Sequence, residues 1–167
     1  ITANEERAFV RQLEIARRDN HLVIVHLPHV NKLKGAQRTV EIIKSMNLKV
    51  DRIVIDHNTE ETIALSLDSG CYSGMTVYPI SKLSPERVSN IIRQYGANRM
   101  VVNGSADWGV SDPLSLVNVV ARMQQDGHPA DTIEKIVFHN AMAFYCQSPN
   151  WKPNFELRPM DPKEFQR

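Results

Sequence analysis

The sequence predicts an α/β fold in which short parallel strands alternate with helices. Four β-branched runs begin near residues 22, 52, 73 and 99, and their spacing of roughly 20–30 residues is typical of β/α units. The first run shows no polar alternation, as expected for a strand buried on both faces. Right-handed crossovers would place the helices either around a barrel wall or on both faces of an open sheet.

The first half of the chain contains two predicted strands and three predicted helices. Apolar residues at a helical period predict the first two helices, and β-branched runs predict the strands. In chain order these elements cover residues 4–18, 22–26, 36–47 and 52–56. A third helix is predicted to begin at Asn58, where Glu61 completes a capping box, and to end near Gly70.

The second half repeats the strand-helix pattern. Strands are predicted over residues 73–78 and 99–103, and helices over about 84–96, 112–127 and 131–145. Ser84 and Pro85 form an N-cap followed by proline at the first helical position, and Gly96 ends that helix. The Pro-rich residues 149–167 are predicted to form an extended tail, which leaves residues 1–148 as the folded domain.

Composition limits the possible classes of protein. The 167 residues, 42% hydrophobic and 23% charged, have the balance of one globular domain with a core. Apolar runs of about six residues are too short to cross a membrane, and a net charge of +1 gives no support to a nucleic-acid partner. Cys71 and Cys146 lack disulfide-framework or metal-type spacing, so we expect a reducing compartment, the cytoplasm or an organelle stroma. Because the first residue is Ile1, we expect a processed or truncated chain.

Polar residues follow the strands at the edge where parallel α/β folds collect catalytic groups. His26, His57 and Asp107 come from three strand ends, and imidazole with carboxylate suits Zn²⁺ or acid/base chemistry. Each residue alone has a structural alternative. A single histidine at a strand end can be a hydrogen-bonded structural residue. Asp56 can be the cap of the following helix, and Trp108 can be a core residue.

Four segments at these strand ends resemble the TatD-related metal-dependent hydrolases of the amidohydrolase superfamily. They read HLPH at 26–29, IDHNTE at 55–60, GMTVYPISKL at 74–83 and ADWGVSDPL at 106–114. The last two are long and specific, whereas HxPH alone would be weak. The resemblance extends from residue 5 to about residue 148.

The resemblance implies the carboxyl-terminal half of a (β/α)8 TIM barrel, with about four parallel strands. It implies that His26, His57 and Asp107 bind a divalent metal, Zn²⁺ first with Mg²⁺ or Mn²⁺ as alternatives. It also implies that Asp107 takes the proton from the attacking water. Residues on the same face are predicted to contact a small-molecule substrate: His29, Asn58, Tyr78, Lys82 and Trp108.

The chain departs from this family in what it lacks. The HxH pair of the first barrel strand and the glutamate of a middle strand are absent, so we expect the fragment to be inactive alone on an ester, phosphoester or amide bond. A half-barrel has open strand edges and an exposed apolar inner face, which predicts pairing with the missing half, a second copy or another protein. The alternative function is a non-catalytic, barrel-derived scaffold or interaction module.

Overall fold

Four short strands form one parallel sheet whose order follows the chain. The computed structural model describes residues 2–79, 81–105 and 110–152. The strands pair in the order β1-β2-β3-β4, and every pair is parallel. They are β1 Val23–His26, β2 Ile53–Asp56, β3 Tyr72–Val77 and β4 Met100–Gly104. Because the order never reverses, the sheet has the arrangement of a barrel wall rather than of a doubly wound sheet. This confirms the α/β prediction and is the arrangement of a partial TIM barrel.

Helices connect and follow the strands. They are α1 Ala3–Arg18, α2 Lys32–Ser45, α3 Ile63–Asp68, α4 Pro85–Tyr95, α5 Ser115–Gln125, α6 Ala130–Glu134 and α7 Asn140–Tyr145. A π-helical turn, Lys135–His139, joins α6 to α7. The predicted limits of α4 are confirmed, because Ser84 accepts a hydrogen bond from Arg87 N and Gly96 follows the helix with φ of 77°. No described helix is long and apolar enough to span a bilayer.

The helix predicted to begin at Asn58 begins later, at Ile63. The Asn58 side chain cannot act as its cap, because its amide donates to the Ile55 carbonyl at 2.7 Å and its oxygen accepts from Thr62 Oγ1 at 3.0 Å. A turn therefore fills residues 59–62, and the predicted capping box with Glu61 is wrong. The helix predicted over about 112–127 also begins later, at Ser115. Asp112 precedes it and accepts hydrogen bonds from Leu114 N and Asn118 Nδ2.

The hydrophobic core lies between one face of the sheet and the outer helices. Alternate strand residues turn toward this side because successive side chains in a strand point to opposite faces. Around β1 and β2, Ile53 and Ile55 pack with Leu13 of α1 and Ile43 of α2. Around β3 and β4, Met75, Val77 and Met100 join a second cluster with residues of α4 and α5.

The opposite face of the sheet is partly covered by α7. The buried Phe144 ring packs edge-on against Tyr72, with ring centroids 5.3 Å apart, and lines the same cleft as Ile24 and Val54. After the helix, the Gln147 side chain donates to the Asp51 carbonyl at 2.8 Å. The sequence predicted a bare inner face; in the structure, Phe144 covers part of it, while Ile24 stays 46% exposed.

Candidate metal centre

Two histidines and one aspartate meet at the carboxyl ends of β1 and β2. The strand register pairs His26 with Asp56, and His57 follows directly in the chain. One ligand atom from each of the three residues lies within 4.8 Å of the other two. The His26 side chain is 64% exposed, while those of Asp56 and His57 are 6% and 11% exposed. The cluster thus has two buried residues, Asp56 and His57, and one residue, His26, that faces solvent.

The Asp56 carboxylate is held by the next two strands. Thr76 Oγ1 donates to it at 3.1 Å and 3.2 Å from the two oxygens, and Asn103 Nδ2 donates at 3.1 Å. Gly74 provides the space, because a Cβ there would overlap the Asp56 carboxylate. The sequence left Asp56 open as a helix cap; in the structure it is a buried carboxylate facing two imidazoles.

The backbone at His57 turns its ring over Asp56. His57 adopts the left-handed region with φ of 65°, which is uncommon for a residue with a side chain. Lys32 Nζ donates to the His57 carbonyl at 2.8 Å and so ties the turn to α2. The result places His57 Nδ1 2.7 Å from Thr76 Oγ1 and 3.5 Å from Asp56 Oδ2.

Thr76 determines which nitrogen of His57 can bind a ligand. Its hydroxyl donates its one proton to Asp56, so its oxygen accepts from His57 Nδ1–H. The lone pair of His57 is then on Nε2. Proteins orient metal-binding histidines by such a hydrogen bond, in which the other ring N–H donates to a neighbouring group.

Burial keeps His57 neutral. It lowers the pKa of the imidazole to about 4; the Asp56 carboxylate opposes this shift, and the positive charge of Lys82 adds to it. A histidine must be unprotonated to bind a metal, so the ring is in the required form at neutral pH.

The three residues fit a divalent metal. With bonds near 2.1 Å, a tetrahedral Zn²⁺ ion holds neighbouring ligand atoms about 3.4 Å apart, and His26 Nε2 lies 3.8 Å from Asp56 Oδ2. Within the described ranges, the ion-pair partners of Asp56 are the two histidines alone, so no lysine or arginine lies within 4 Å of this buried carboxylate. A cation between the three side chains would supply the missing positive charge.

The structure brings some of the other predicted site residues to this centre. The His29 ring stacks beside His57, with centroids 6.1 Å apart. Lys82 lines the same cleft as the cluster, and its Nζ lies 5.7 Å from the centroid of the Tyr78 ring. Asp107 and Trp108 lie outside the described residues, and their predicted roles remain predictions.

Asn58 does not reach the cleft. It is 1% exposed, and its amide donates to the carbonyls of Ile55 and Gly74 and to Ser66 Oγ behind β2. The predicted substrate contact is corrected to a structural role. Sequence reasoning missed Asp56 as a site residue; the available signal was its position at a strand end beside His57.

Comparison with known proteins supports a metal-dependent hydrolase. No protein-family profile matches the chain. Over 147 residues it is 30% identical to an uncharacterized metal-dependent hydrolase from Methanocaldococcus jannaschii, a match that covers 87% of this chain and 57% of that protein. The chain thus spans little more than half the length of the relative. Together with the fold, the similarity supports a relationship to the metal-dependent hydrolases.

Proposed function

We propose that the chain contributes half of the active site of a TatD-like metal-dependent hydrolase. The reaction would be hydrolysis of an ester, phosphoester or amide bond in a small-molecule substrate. The observation that carries this proposal is the convergence of His26, Asp56 and His57 at the carboxyl edge of a parallel sheet. The similarity to a metal-dependent hydrolase supports it independently.

Each residue of the centre has a distinct role in this proposal. His57 and Asp56 form the rigid, buried side of the metal site, and His26 binds from the exposed side. When bound, a divalent ion such as Zn²⁺ lowers the pKa of water toward neutrality. Thr76 and Asn103 hold the Asp56 carboxylate in place, and Asp107 would accept the water proton by resemblance to the family.

Completion of the site requires further polypeptide. In the described residues, β1 pairs with β2 on one edge and with no strand on the other, and Ile24 beside that open edge is 46% exposed. We propose that the missing half of the barrel, a second copy or another protein pairs along β1 and supplies the remaining ligands. The chain alone would then bind metal weakly and hydrolyse nothing.

Zinc titration by isothermal calorimetry tests the metal centre. We expect one Zn²⁺ per chain, with binding lost in His26→Ala and His57→Ala and retained in His21→Ala, which removes an exposed histidine from the other end of the sheet. Absence of zinc, magnesium and manganese binding in the unsubstituted chain would contradict the proposal. That outcome would favour the non-catalytic scaffold.

A further inference from the structure

Lys82 is a cation on the wall of the metal-centre cleft. Its Nζ donates to Ser105 Oγ at 3.1 Å and lies 5.7 Å from the centroid of the Tyr78 ring. In the described part of the chain, no carboxylate lies within 4 Å of this amine. The nearby Arg87 differs from Lys82, because its guanidinium group forms a bidentate ion pair with Glu60.

Lys32, the other lysine near the centre, is already used. Its Nζ donates to the His57 carbonyl at 2.8 Å, and burial lowers the pKa of this amine. Lys32 therefore supports the turn, whereas among the described residues the Lys82 amine contacts a neutral hydroxyl and an aromatic ring. An ammonium group binds a charged oxygen more strongly than a neutral hydroxyl.

The charges along the cleft favour an anionic ligand. Among the described lining residues, Asp56 is the one carboxylate and Lys82 the one lysine, so their charges cancel. A divalent ion at the metal centre would make the cleft positive. In a partly water-excluded cleft, this excess attracts negatively charged groups.

We infer that Lys82 and Ser105 form a subsite for an oxyanion, a phosphate or carboxylate group, of the substrate. The inference rests on the proposed function, since it gives that hydrolytic site its substrate class. Ser105 orients the amine by accepting a hydrogen bond from it, and the ammonium group keeps further N–H donors for a bound oxyanion. The cleft of about 420 Å³ has apolar walls from Ile24, Val54 and Phe144, which suit the hydrocarbon part of a small molecule.

Anion titration tests the subsite without measuring turnover. Inorganic phosphate and acetate are titrated by calorimetry into the chain with and without one equivalent of Zn²⁺. We expect Lys82→Met and Lys82→Gln to weaken anion binding about tenfold or more, and Lys82→Arg to stay within about threefold. Lys44→Met, a change at an exposed lysine at the end of α2, is the matched control and should bind as the unsubstituted chain does.

The outcomes separate this inference from the proposed function. A preference for phosphate points to a phosphorylated substrate, and a preference for acetate points to a carboxylate; both support the subsite. Equal anion affinity in the unsubstituted chain and in both charge-removing variants would overturn it, as would failure of the unsubstituted chain to bind either anion. If Lys82-dependent anion binding persists in a chain that binds no zinc, the subsite stands and the metal centre fails.

Discussion

Gly74 lies opposite Asp56 in the sheet, and the space left by its missing side chain is where the Asp56 carboxylate sits. A Cβ at residue 74 would overlap the Asp56 carboxyl group and approach the Asp56 Cα at 3.0 Å. The buried carboxylate therefore depends on a glycine in the neighbouring strand. This dependence leads to the first prediction.

Gly74→Ala should displace Asp56 and weaken zinc binding. Overpacking of a fitted interior typically costs about 1–3 kcal/mol of unfolding free energy. Asp56→Ala alone should also weaken zinc binding. In the double variant the overlap with the carboxylate is removed and only the closer approach to the Asp56 backbone remains. The two single losses in unfolding free energy should therefore sum to more than the loss in the double variant, measured by urea denaturation. Additive losses would show that Gly74 and Asp56 do not interact.

Thr76→Val should weaken zinc binding while Thr76→Ser should preserve it. Valine keeps the shape of threonine but removes the hydroxyl that binds both Asp56 and His57 Nδ1. Loss of such supporting groups typically costs about 10–100-fold in metal affinity. Calorimetry gives the affinity, and nitrogen-15 NMR of the histidine ring should show the Nδ1–H form in the serine variant and a mixture in the valine variant. Equal zinc affinity in both variants would remove Thr76 from the site.

Asn58→Ala should destabilise the fold and leave ligand binding at the cleft unchanged. The Asn58 amide is buried and binds three partners across β2, β3 and α3. Removing it deletes these buried hydrogen bonds, at a cost of about 1–3 kcal/mol. Urea denaturation measures the loss. An unchanged stability with weakened anion binding would restore the substrate role that the sequence suggested.

The Glu60–Arg87 ion pair should make a small, pH-dependent contribution to stability. The bidentate hydrogen bonds from Arg87 hold the pKa of Glu60 below its ordinary value of 4.5. Because the pKa is lower in the folded state, the contribution is present above the unfolded pKa and is lost as the pH falls through the folded pKa. Half of the Glu60 side chain is exposed, so solvent screening keeps the contribution of this ion pair to the unfolding free energy below about 1 kcal/mol.

Glu60→Gln is the variant that measures this contribution. The difference in unfolding free energy between Glu60→Gln and the unsubstituted chain should be present at neutral pH and shrink toward zero in acid. Glu134→Gln, at an exposed glutamate that is paired with a histidine, serves as the matched comparison. A difference that grows in acid would contradict the assignment.

The parts of the fold that sequence predicts well are those set by local pattern. The four strands and α4 follow from β-branched runs and from Ser84 and Gly96, whose effects act within a few residues. Because parallel strands end at one edge, the meeting of His26 and His57 could also be predicted. These elements and the meeting of the two histidines do not depend on the side chains of distant residues.

The parts that sequence predicts poorly are set by contacts between strands. Asn58 reads as a cap locally, but it binds carbonyl groups of β2 and β3 that no local pattern brings near it. The local sequence also suggests a helix cap at Asp56, because the burial of this carboxylate depends on the strand register that places Gly74 beside it. Knowing which strands are neighbours, and with what offset, is what distinguishes a helix cap from a buried carboxylate.

The π-helical turn between α6 and α7 has a consequence for how the last helices are divided between the two faces of the sheet. A turn of this kind holds one residue more than an α-helical turn and so rotates the following helix by about 100° relative to the preceding one. Ile133 and Ile136 pack in the outer core, whereas Phe144 packs on the inner face. One nearly continuous helical segment thereby packs along the edge of β4 that pairs with no described strand. The change of helical phase within it determines which residues cover each face at that edge.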